Sequence, residues 1–159
     1  ISFALKRKES GFTEDSVTLL DISDNAINLS AENNNALKAH CNIVKSDLFE
    51  NICGKYDIII SNPPYIKSSD IEELMEEVRL FEPRLALDGL EDGLYFYDKI
   101  IKEAREYLND KGKLLFEIGY DQFEDVRRLL IDAGYSDVYL KKDYAGLDRV
   151  VVAALDSSF

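Results

Sequence analysis

The sequence predicts an α/β fold with a doubly wound, mostly parallel sheet that ends in an antiparallel edge strand. Short apolar segments rich in β-branched residues alternate along the chain with longer segments whose apolar residues recur at helical spacing. This rhythm is typical of parallel sheets crossed by helices. The last two strand candidates are joined by residues 141–148. That connection is too short for a crossover helix, so these two strands should pair antiparallel at one edge.

Each predicted element rests on a local pattern. Helices are expected over 1–8, from a cap at Ser23 or Asp24 to Leu37, over 70–77 behind a cap at Ser68 or Ser69, over 94–108, and over 123–133 before Gly134. Strands are expected over 17–22, 42–45, 57–60, 113–118, 136–140 and 149–155, of which the first and third are predicted to be buried. A structured loop is expected over 81–89 and a turn over 109–112.

Length and composition restrict the class of protein. At 159 residues, 46% of them hydrophobic, the chain is long enough for one globular domain with a sizeable core. No apolar run approaches the roughly 20 residues of a membrane helix, and no signal-peptide pattern follows Ile1. Cys41 and Cys53 lack metal-ligand spacing and indicate free thiols of a reducing cytosol. The net charge of −12 disfavours non-specific binding to nucleic-acid phosphates.

A rigid tetrapeptide, Asn62-Pro63-Pro64-Tyr65, follows the strand predicted over 57–60. Open α/β sheets bind their ligands at the carboxyl ends of strands, where this loop should lie. The asparagine amide has an acceptor and donors in one plane, the Pro63 carbonyl is a second acceptor, and neither proline has an N–H. With the flat ring of Tyr65, these groups suit recognition of a planar –NH2 group. The alternative is a tight turn after a strand.

Two acidic residues stand at the ends of successive predicted strands. Asp21 lies at the end of the strand over 17–22, and Asp47 follows the strand over 42–45. An acid in this position accepts hydrogen bonds from the ribose of a bound nucleotide, or it merely helps to cap the next helix. Two such acids in succession favour the nucleotide.

The tetrapeptide resembles the Asn-Pro-Pro-Tyr motif of S-adenosylmethionine-dependent methyltransferases that act on planar amino groups. Later tracts are similar, in order, to those of the glutamine-N5 protein methyltransferases, which modify the Gly-Gly-Gln glutamine of peptide chain release factors. These tracts are Glu82-Pro83-Arg84-Leu85-Ala86-Leu87, Asp92-Gly93-Leu94, Glu117-Ile118-Gly119 with Gln122, Lys142-Asp143 to Gly146, and Asp148-Arg149-Val150. The resemblance covers residues 17–155, with Tyr144 where the family usually has leucine.

The resemblance implies a Rossmann-like class I methyltransferase fold and a cytoplasmic enzyme whose cofactor is S-adenosylmethionine. Asp21 would hold the cofactor ribose, and Asp47 and Leu48 would border the adenine. Ile22 and Asn62 are further cofactor-binding candidates. The product of the cofactor would be S-adenosylhomocysteine, and no metal is expected.

For the substrate, the resemblance implies that Asn62 and the Pro63 carbonyl hold a glutamine amide, with Pro64 and Tyr65 beside the substrate side chain. Asn62, Pro63 and Tyr65 are therefore the catalytic candidates. The implied partner is a peptide chain release factor, and neither a membrane nor a direct nucleic-acid partner is expected.

The resemblance also implies that parts of the family's catalytic domain lie outside this sequence. The family's first strand, its glycine-rich cofactor loop and an N-terminal helical domain would precede Ile1, so residues 1–159 are expected to form a single partial methyltransferase domain. In this fold the first strand lies between the strands of Asp21 and Asn62. Its loss would leave two central strand edges unpaired, which favours self-association through those edges and weakens cofactor binding.

Two other functions remain open on the sequence. Nucleic-acid methyltransferases use the same proline motif on the amino group of a flipped adenine or cytosine, although the net charge of −12 and the tract over 82–94 count against this. The other alternative is an inactive fragment or a binding module.

Overall fold

Alternating helices and strands form an α/β fold in residues 1–155, the part of the chain that the computed structural model describes. This part divides into two compact units, the first ending at Cys53 and the second beginning at Gly54. The predicted fold class is confirmed, with parallel strand pairs in both units and an antiparallel edge in the second.

The first unit contains α1 (Ser2–Glu9), β1 (Thr18–Asp21), α2 (Asp24–Leu37) and β2 (Asn42–Lys45). β1 and β2 pair in parallel over their whole length. As predicted, Ser23 caps α2, and its side chain accepts a hydrogen bond from the Ala26 N–H at 3.4 Å. At the other end, the Asn34 side chain bonds both backbone groups of Cys41. These contacts fix α2 between the two strands.

The second unit contains β3 (Tyr56–Ser61), a 3₁₀ turn (Ile71–Glu73), α3 (Glu76–Phe81), α4 (Arg84–Leu87), α5 (Tyr95–Tyr107), β4 (Leu108–Glu117), α6 (Phe123–Asp132), β5 (Tyr135–Lys142) and β6 (Asp148–Leu155). Its sheet has the order β3-β4-β6-β5. β3 pairs with β4 in parallel, whereas β6 runs antiparallel to both of its neighbours. The predicted antiparallel pairing of the last two strands is confirmed.

The core of the second unit joins α5 and α6 to the sheet. Helical spacing places apolar residues on one face of each helix, and alternation does the same on the strands. The fully covered residues include Tyr97, Ile101 and Ala104 on α5, Val126 and Leu130 on α6, and Leu108, Leu114, Phe116, Val151 and Ala153 on the sheet. Burial of this surface supplies the main stabilisation of the unit.

The two strands predicted to be buried are partly exposed, so that prediction was wrong. In β3, Ile58 and Ile60 are 43% and 55% exposed, and in β1 Leu20 is 41% exposed. β3 stands at one edge of its sheet, and β1 has β2 as its one neighbour in its sheet. An edge strand lacks a neighbour on one side, so less of its apolar surface is covered.

The segment between β3 and α5 also differs from prediction. The acidic helix expected over 70–77 is a 3₁₀ turn followed by α3. Ser68 does not cap it, because its hydroxyl donates to Asp88. The loop expected over 81–89 contains the one-turn helix α4. The turn expected over 109–112 lies inside β4, where the register with β3 shifts.

Candidate functional site

The proline loop, residues 62–65, begins directly after the last paired residue of β3. Ser61 lies opposite Phe116 of β4, so the loop starts at the carboxyl ends of two parallel strands. The Asn62 side chain is exposed, and no residue in the described range 1–155 hydrogen-bonds to it, whereas Pro63 is buried. A planar amide on a rigid loop is therefore available to a ligand.

The other end of the loop is held by Gln122. Its Nε2 donates to the carbonyls of Tyr65 at 3.0 Å and Gly93 at 3.3 Å. Its Oε1 accepts from the Gly119 N–H at 2.9 Å and from the Tyr97 hydroxyl at 3.4 Å. The side chain thus joins the proline loop to the start of α5 and to the turn after β4. The Gln122 side chain is only 9% exposed. A buried amide without hydrogen bonds would be costly, and these bonds satisfy it.

Two glycines allow the loop backbone to pack against its neighbours. Gly93 has a φ of +73°, and a Cβ there would lie 2.4 Å from the Tyr65 carbonyl oxygen and 2.9 Å from Nε2 of Gln122. A Cβ on Gly89 would lie 2.8 Å from the Tyr65 Cα. Both contacts are too short for any residue with a side chain, so the loop fits only against glycine at these positions.

The backbone after the proline loop pairs with the segment that follows α4. The Ile66 N–H donates to the Leu87 carbonyl at 3.0 Å, and the Gly89 N–H donates to the Ile66 carbonyl at 2.7 Å. The Ser68 hydroxyl donates to the Asp88 carboxylate at 2.5 Å. That bond is the largest cause of a lowered pKa at Asp88. The chain leaving the loop is therefore held by backbone pairing and by an ionised carboxylate.

Tyr65 interacts electrostatically with Tyr97 and Arg149. Burial raises the pKa of the Tyr97 phenol, and the neighbouring Tyr65 and Glu117 raise it further. The pKa of Arg149 is raised first by its hydrogen bonds to Asp143, at 3.2 and 3.3 Å, and then by Tyr65. The Tyr65 phenol therefore lies within electrostatic reach of the Tyr97 phenol and of the Arg149 guanidinium.

The first unit brings Asp21 and Asp47 to the same end of its sheet. The Asp21 carboxylate is exposed beyond β1, and its Oδ1 accepts the Ser23 N–H at 2.8 Å. The Ser46 N–H donates to the Asp21 carbonyl at 3.0 Å, which holds together the ends of the two strands, and Asp47 follows. Because Oδ2 of Asp21 makes no hydrogen bond within residues 1–155, it can accept one from a ribose hydroxyl.

The turn after β2 is held by the buried Ser46, which is 2% exposed. Its hydroxyl donates to the Leu48 carbonyl at 2.8 Å and accepts the Asn51 N–H at 3.0 Å. Leu48 has a φ of 46°, a conformation that residues with side chains rarely adopt. Ile22, 45% exposed, also lies at this end. Apolar side chains beside two carboxylates suit a nucleoside, which has an apolar base face and polar ribose hydroxyls.

The predicted site residues thus fall in both units. Asp21, Ile22, Asp47 and Leu48 lie in the first unit, and the proline loop lies in the second.

Within residues 1–155, no group of three His, Cys, Asp or Glu side chains could hold a metal ion. None of the described helices has the length and hydrophobicity needed to cross a bilayer.

Sequence patterns did not reveal the contacts of Gln122, Gly89 and Gly93 with the proline loop. Gln122 and Gly93 stood out only within tracts that resemble a known family, without a physical role. The hydrogen bond from Gln122 to Tyr65 spans 57 residues, and a contact so distant leaves no local pattern. The one sequence signal for this packing was the pair Gly89 and Gly93, which flank residues 90–92 just before α5.

Solved structures with a similar fold include several methyltransferases. A methyltransferase from Pyrococcus furiosus matches with a TM-score of 0.71 and 20% identity, over 97% of this chain and 68% of that chain. A ribosomal protein L11 methylase from Lactobacillus delbrueckii subsp. bulgaricus matches with a TM-score of 0.62 and 21% identity, over 98% of this chain and 65% of that chain. At these identities the likeness shows the class I methyltransferase fold.

Curated proteins that match by sequence have higher identity to this chain than these solved structures do. The release factor glutamine methyltransferase of Fusobacterium nucleatum subsp. nucleatum is 48% identical over 141 residues, which cover 87% of this chain and 40% of that protein. The protein of the same name from Clostridium botulinum is 43% identical over 150 residues, covering 90% of this chain and 53% of that protein. The chain spans about half the length of the curated relatives it matches.

A family model agrees with both comparisons. The model described as "Methyltransferase small domain" matches residues 1–82, which contain β1, β2, β3 and the proline loop. The matched range therefore includes the candidate residues of both units. This chain belongs to the methyltransferase small domain family.

Proposed function

We propose that this chain is part of an S-adenosylmethionine-dependent methyltransferase that acts on the side-chain amide of a protein glutamine. The proposed substrate is the Gly-Gly-Gln glutamine of a peptide chain release factor, which places the enzyme in the cytoplasm. The observation that carries the proposal is the amide of Asn62, which is exposed and makes no hydrogen bond within residues 1–155, on a loop whose far end is fixed at Tyr65. Relatives at 48% and 43% identity that are named for this reaction support it.

The first unit would hold the cofactor, which supplies a methyl group bound to a sulfonium. Asp21 would accept hydrogen bonds from the ribose hydroxyls, as its exposed carboxylate allows. Asp47 and Leu48 would border the adenine, and Ile22 would add apolar surface. The chemistry of this donor set fits a nucleoside, because two carboxylates and the apolar side chains of Ile22 and Leu48 lie at the carboxyl end of the first unit's sheet.

The proline loop would hold the substrate amide. An amide nitrogen is a poor nucleophile because its lone pair is delocalised into the carbonyl. Oδ1 of Asn62 and the Pro63 carbonyl would accept its two N–H bonds, which orients the nitrogen and stabilises the positive charge that forms on it. Because prolines have no N–H, the loop presents acceptors without competing backbone donors. Tyr65, with Pro64, would pack beside the glutamine side chain.

The proton leaves the nitrogen after methyl transfer in this scheme. Methylation makes the amide nitrogen positively charged, and that strongly acidic species loses its proton readily. No side chain of the described residues is assigned as a general base. The role of the chain is then to position and stabilise, which is enough for a large rate effect when the geometry is well defined.

The test is methyl transfer from labelled S-adenosylmethionine to release factor, DNA and ribosomal RNA, catalysed by the protein purified from its complete gene. Labelling of the Gly-Gly-Gln glutamine is expected. Labelling of an adenine or cytosine instead would show the nucleic-acid activity, and absence of transfer to all three would favour the inactive alternative.

An Asn62→Ala variant isolates the role of the loop. Loss of an acceptor that is strongest in the transition state should lower kcat by about 100-fold or more. Cofactor affinity, measured by calorimetry, should change little. The matched control is Asn33→Ala, which removes an exposed amide from α2 and should leave kcat unchanged. Full activity of Asn62→Ala would show that Asn62 has another role.

A further inference from the structure

The proline loop is held at two points, one on each side of its prolines. At the start, backbone pairing of Ser61 with Phe116 ties it to the sheet. At the end, the carbonyl of Tyr65 accepts from Nε2 of Gln122 at 3.0 Å. Within residues 1–155 this is the one side-chain hydrogen bond to residues 62–65. The shape of the loop therefore depends on a residue 57 positions away in sequence.

The orientation of the Gln122 amide follows from its partners. The Gly119 N–H can only donate, so it must face Oε1, 2.9 Å away. The carbonyls of Tyr65 and Gly93 can only accept, so they must face Nε2. Rotating the amide by half a turn would place donor against donor and acceptor against acceptor. The side chain is therefore locked in one orientation, and it directs the Tyr65 carbonyl.

The backbone of Gln122 is fixed as well. Its N–H donates to the Gly119 carbonyl at 3.1 Å, and its carbonyl accepts from the Val126 N–H at 3.0 Å in the first turn of α6. An apolar side chain of the same length would fill the same space, but it would leave the Gly119 N–H and the carbonyls of Tyr65 and Gly93 without this partner, which is costly for buried groups. The amide adds a direction, since it points two donors at two carbonyls.

This direction is transmitted to the acceptors of the loop. The two prolines between Asn62 and Tyr65 have fixed φ angles, so few rotations separate the Tyr65 carbonyl from the Asn62 amide. A shift at Tyr65 would therefore be passed to the Pro63 carbonyl rather than absorbed. On the proposed function, the Pro63 carbonyl and Asn62 are the two acceptors of the substrate amide.

We propose that Gln122 is a positioning residue, which sets the geometry of the amide-binding acceptors through the Tyr65 carbonyl without touching the substrate. This inference rests on the proposed function for its catalytic consequence. Its structural part, that the hydrogen bonds of Gln122 determine the position of the proline loop, does not. The two parts can be measured separately.

The variants are Gln122→Met, which keeps the length and removes the hydrogen bonds, and Gln122→Glu, which keeps the shape and turns a donor into an acceptor. The control is Glu124→Gln, an acid-to-amide exchange at an exposed position of α6. In the protein from the complete gene, kcat for release factor should fall by about 100-fold, the order expected for a misplacement near 1 Å. The KM for S-adenosylmethionine should stay within about twofold, since Gln122 acts on the acceptors of the substrate amide.

Hydrogen exchange supplies a readout that needs no activity. In both variants the N–H groups of Ile66, Ser68 and Gly89, which hold the chain after the loop, should exchange about tenfold faster, as for one lost buried hydrogen bond. Exchange of the N–H groups that pair β4 with β6 should not change. In the control variant, every rate should match that of the unmodified protein.

Each outcome decides the inference. Unchanged exchange near the loop would overturn it, as would faster exchange throughout the unit or global unfolding of both variants, because Gln122 would then hold the whole unit. Local exchange with unchanged kcat in an active enzyme would also overturn it. If the protein does not methylate release factor, the proposed function fails, and the local exchange pattern still decides whether Gln122 sets the loop.

Discussion

The hydroxyl of Tyr97 donates a hydrogen bond to the backbone carbonyl of Glu117, 3.0 Å away, from a side chain with no exposed surface. The ring also packs edge-on against Phe116, with the ring centroids 5.2 Å apart. One residue of α5 is thereby attached to the last two residues of β4. This is also the end of β4 where Phe116 pairs with Ser61, so the contact supports the start of the proline loop.

A Tyr97→Phe variant should be less stable by about 1–2 kcal/mol, because the Glu117 carbonyl loses its donor while the ring remains in place. Urea denaturation followed by circular dichroism measures the free energy of unfolding. Tyr144→Phe is the control, since it removes a hydroxyl from a fully exposed ring and should have no effect. Equal stability of the two variants would contradict the contact described here.

Alkaline pH should destabilise the second unit through two buried phenols. Burial is the largest cause of raised pKa values at Tyr97 and Tyr135. Above the ordinary tyrosine pKa of about 10, the unfolded chain loses these protons and the folded chain keeps them. The free energy of unfolding should therefore fall as pH rises, by up to about 1.4 kcal/mol per pH unit for each phenol.

The measurement is urea unfolding at a series of pH values between about 8 and 11.5. Each single Tyr→Phe change at these two positions should make the decline less steep, because one linked proton is removed. Tyr144→Phe is the control and should leave the slope as it is, since it changes a fully exposed side chain. If no variant changed the slope, groups other than these two tyrosines would cause the loss of stability at alkaline pH.

A Gly93→Ala variant should lose more stability than Gly146→Ala, although both glycines have positive φ, +73° and +82°. Alanine in this conformation costs about 1 kcal/mol at either position. At Gly93 the new Cβ would also lie 2.4 Å from the Tyr65 carbonyl oxygen, whereas at Gly146 nothing lies within 4 Å. The clash should add about 1–3 kcal/mol.

The difference between these two variants in the free energy of unfolding is therefore the test of close packing at the proline loop. Gly93→Ala should also reduce methyl transfer, because Tyr65 must move to accept the new methyl group. If the two variants lost equal stability and both kept their activity, the loop would have space for a Cβ at Gly93 and the close packing would be disproved.

A Lys38→Gly variant should stabilise the first unit by about 1 kcal/mol, the cost of a left-handed conformation for a residue with a side chain. Lys38 ends α2 with a φ of 51° and is exposed. Lys38→Ala removes the same side chain but keeps Cβ, so it should bring no gain. Thermal unfolding of the two variants, compared with the unmodified protein, measures the effect. A gain in the alanine variant of equal size would assign it to the lysine charge instead.

Local patterns predicted much of the fold. The Ser23 cap, the helices α5 and α6 and the strands β2 and β6 lie within a few residues of their expected positions, because capping and apolar periodicity act over a few residues. The antiparallel pairing of the last two strands followed from the length of their connection. Such features are encoded close to where they occur.

Features that depend on distant partners were not predictable in this way. The exposure of Ile58 and Ile60 depends on which strand lies beside β3, and an apolar run looks the same at an edge and in a centre. Neither of the caps expected before the acidic segment forms, because the Ser68 hydroxyl donates to Asp88, 20 residues away, and the Ser69 hydroxyl donates to Asp70. For the candidate site, the sequence predicted that the loop and the acids lie at strand ends. The hydrogen bond by which Gln122 supports the loop is evident only in the structure.

The hydrogen bonds and close backbone contacts described above for the proline loop come from residues between β3 and the start of α6. Gly89, Gly93, Gly119 and Gln122 contribute to them directly or through one another. A graft of Asn62-Pro63-Pro64-Tyr65 into another protein would carry its functional groups without its shape. A transplant that keeps the shape of the loop would have to carry at least the residues from Tyr56 to Gln122, together with β6, because β4 within that range pairs with β6.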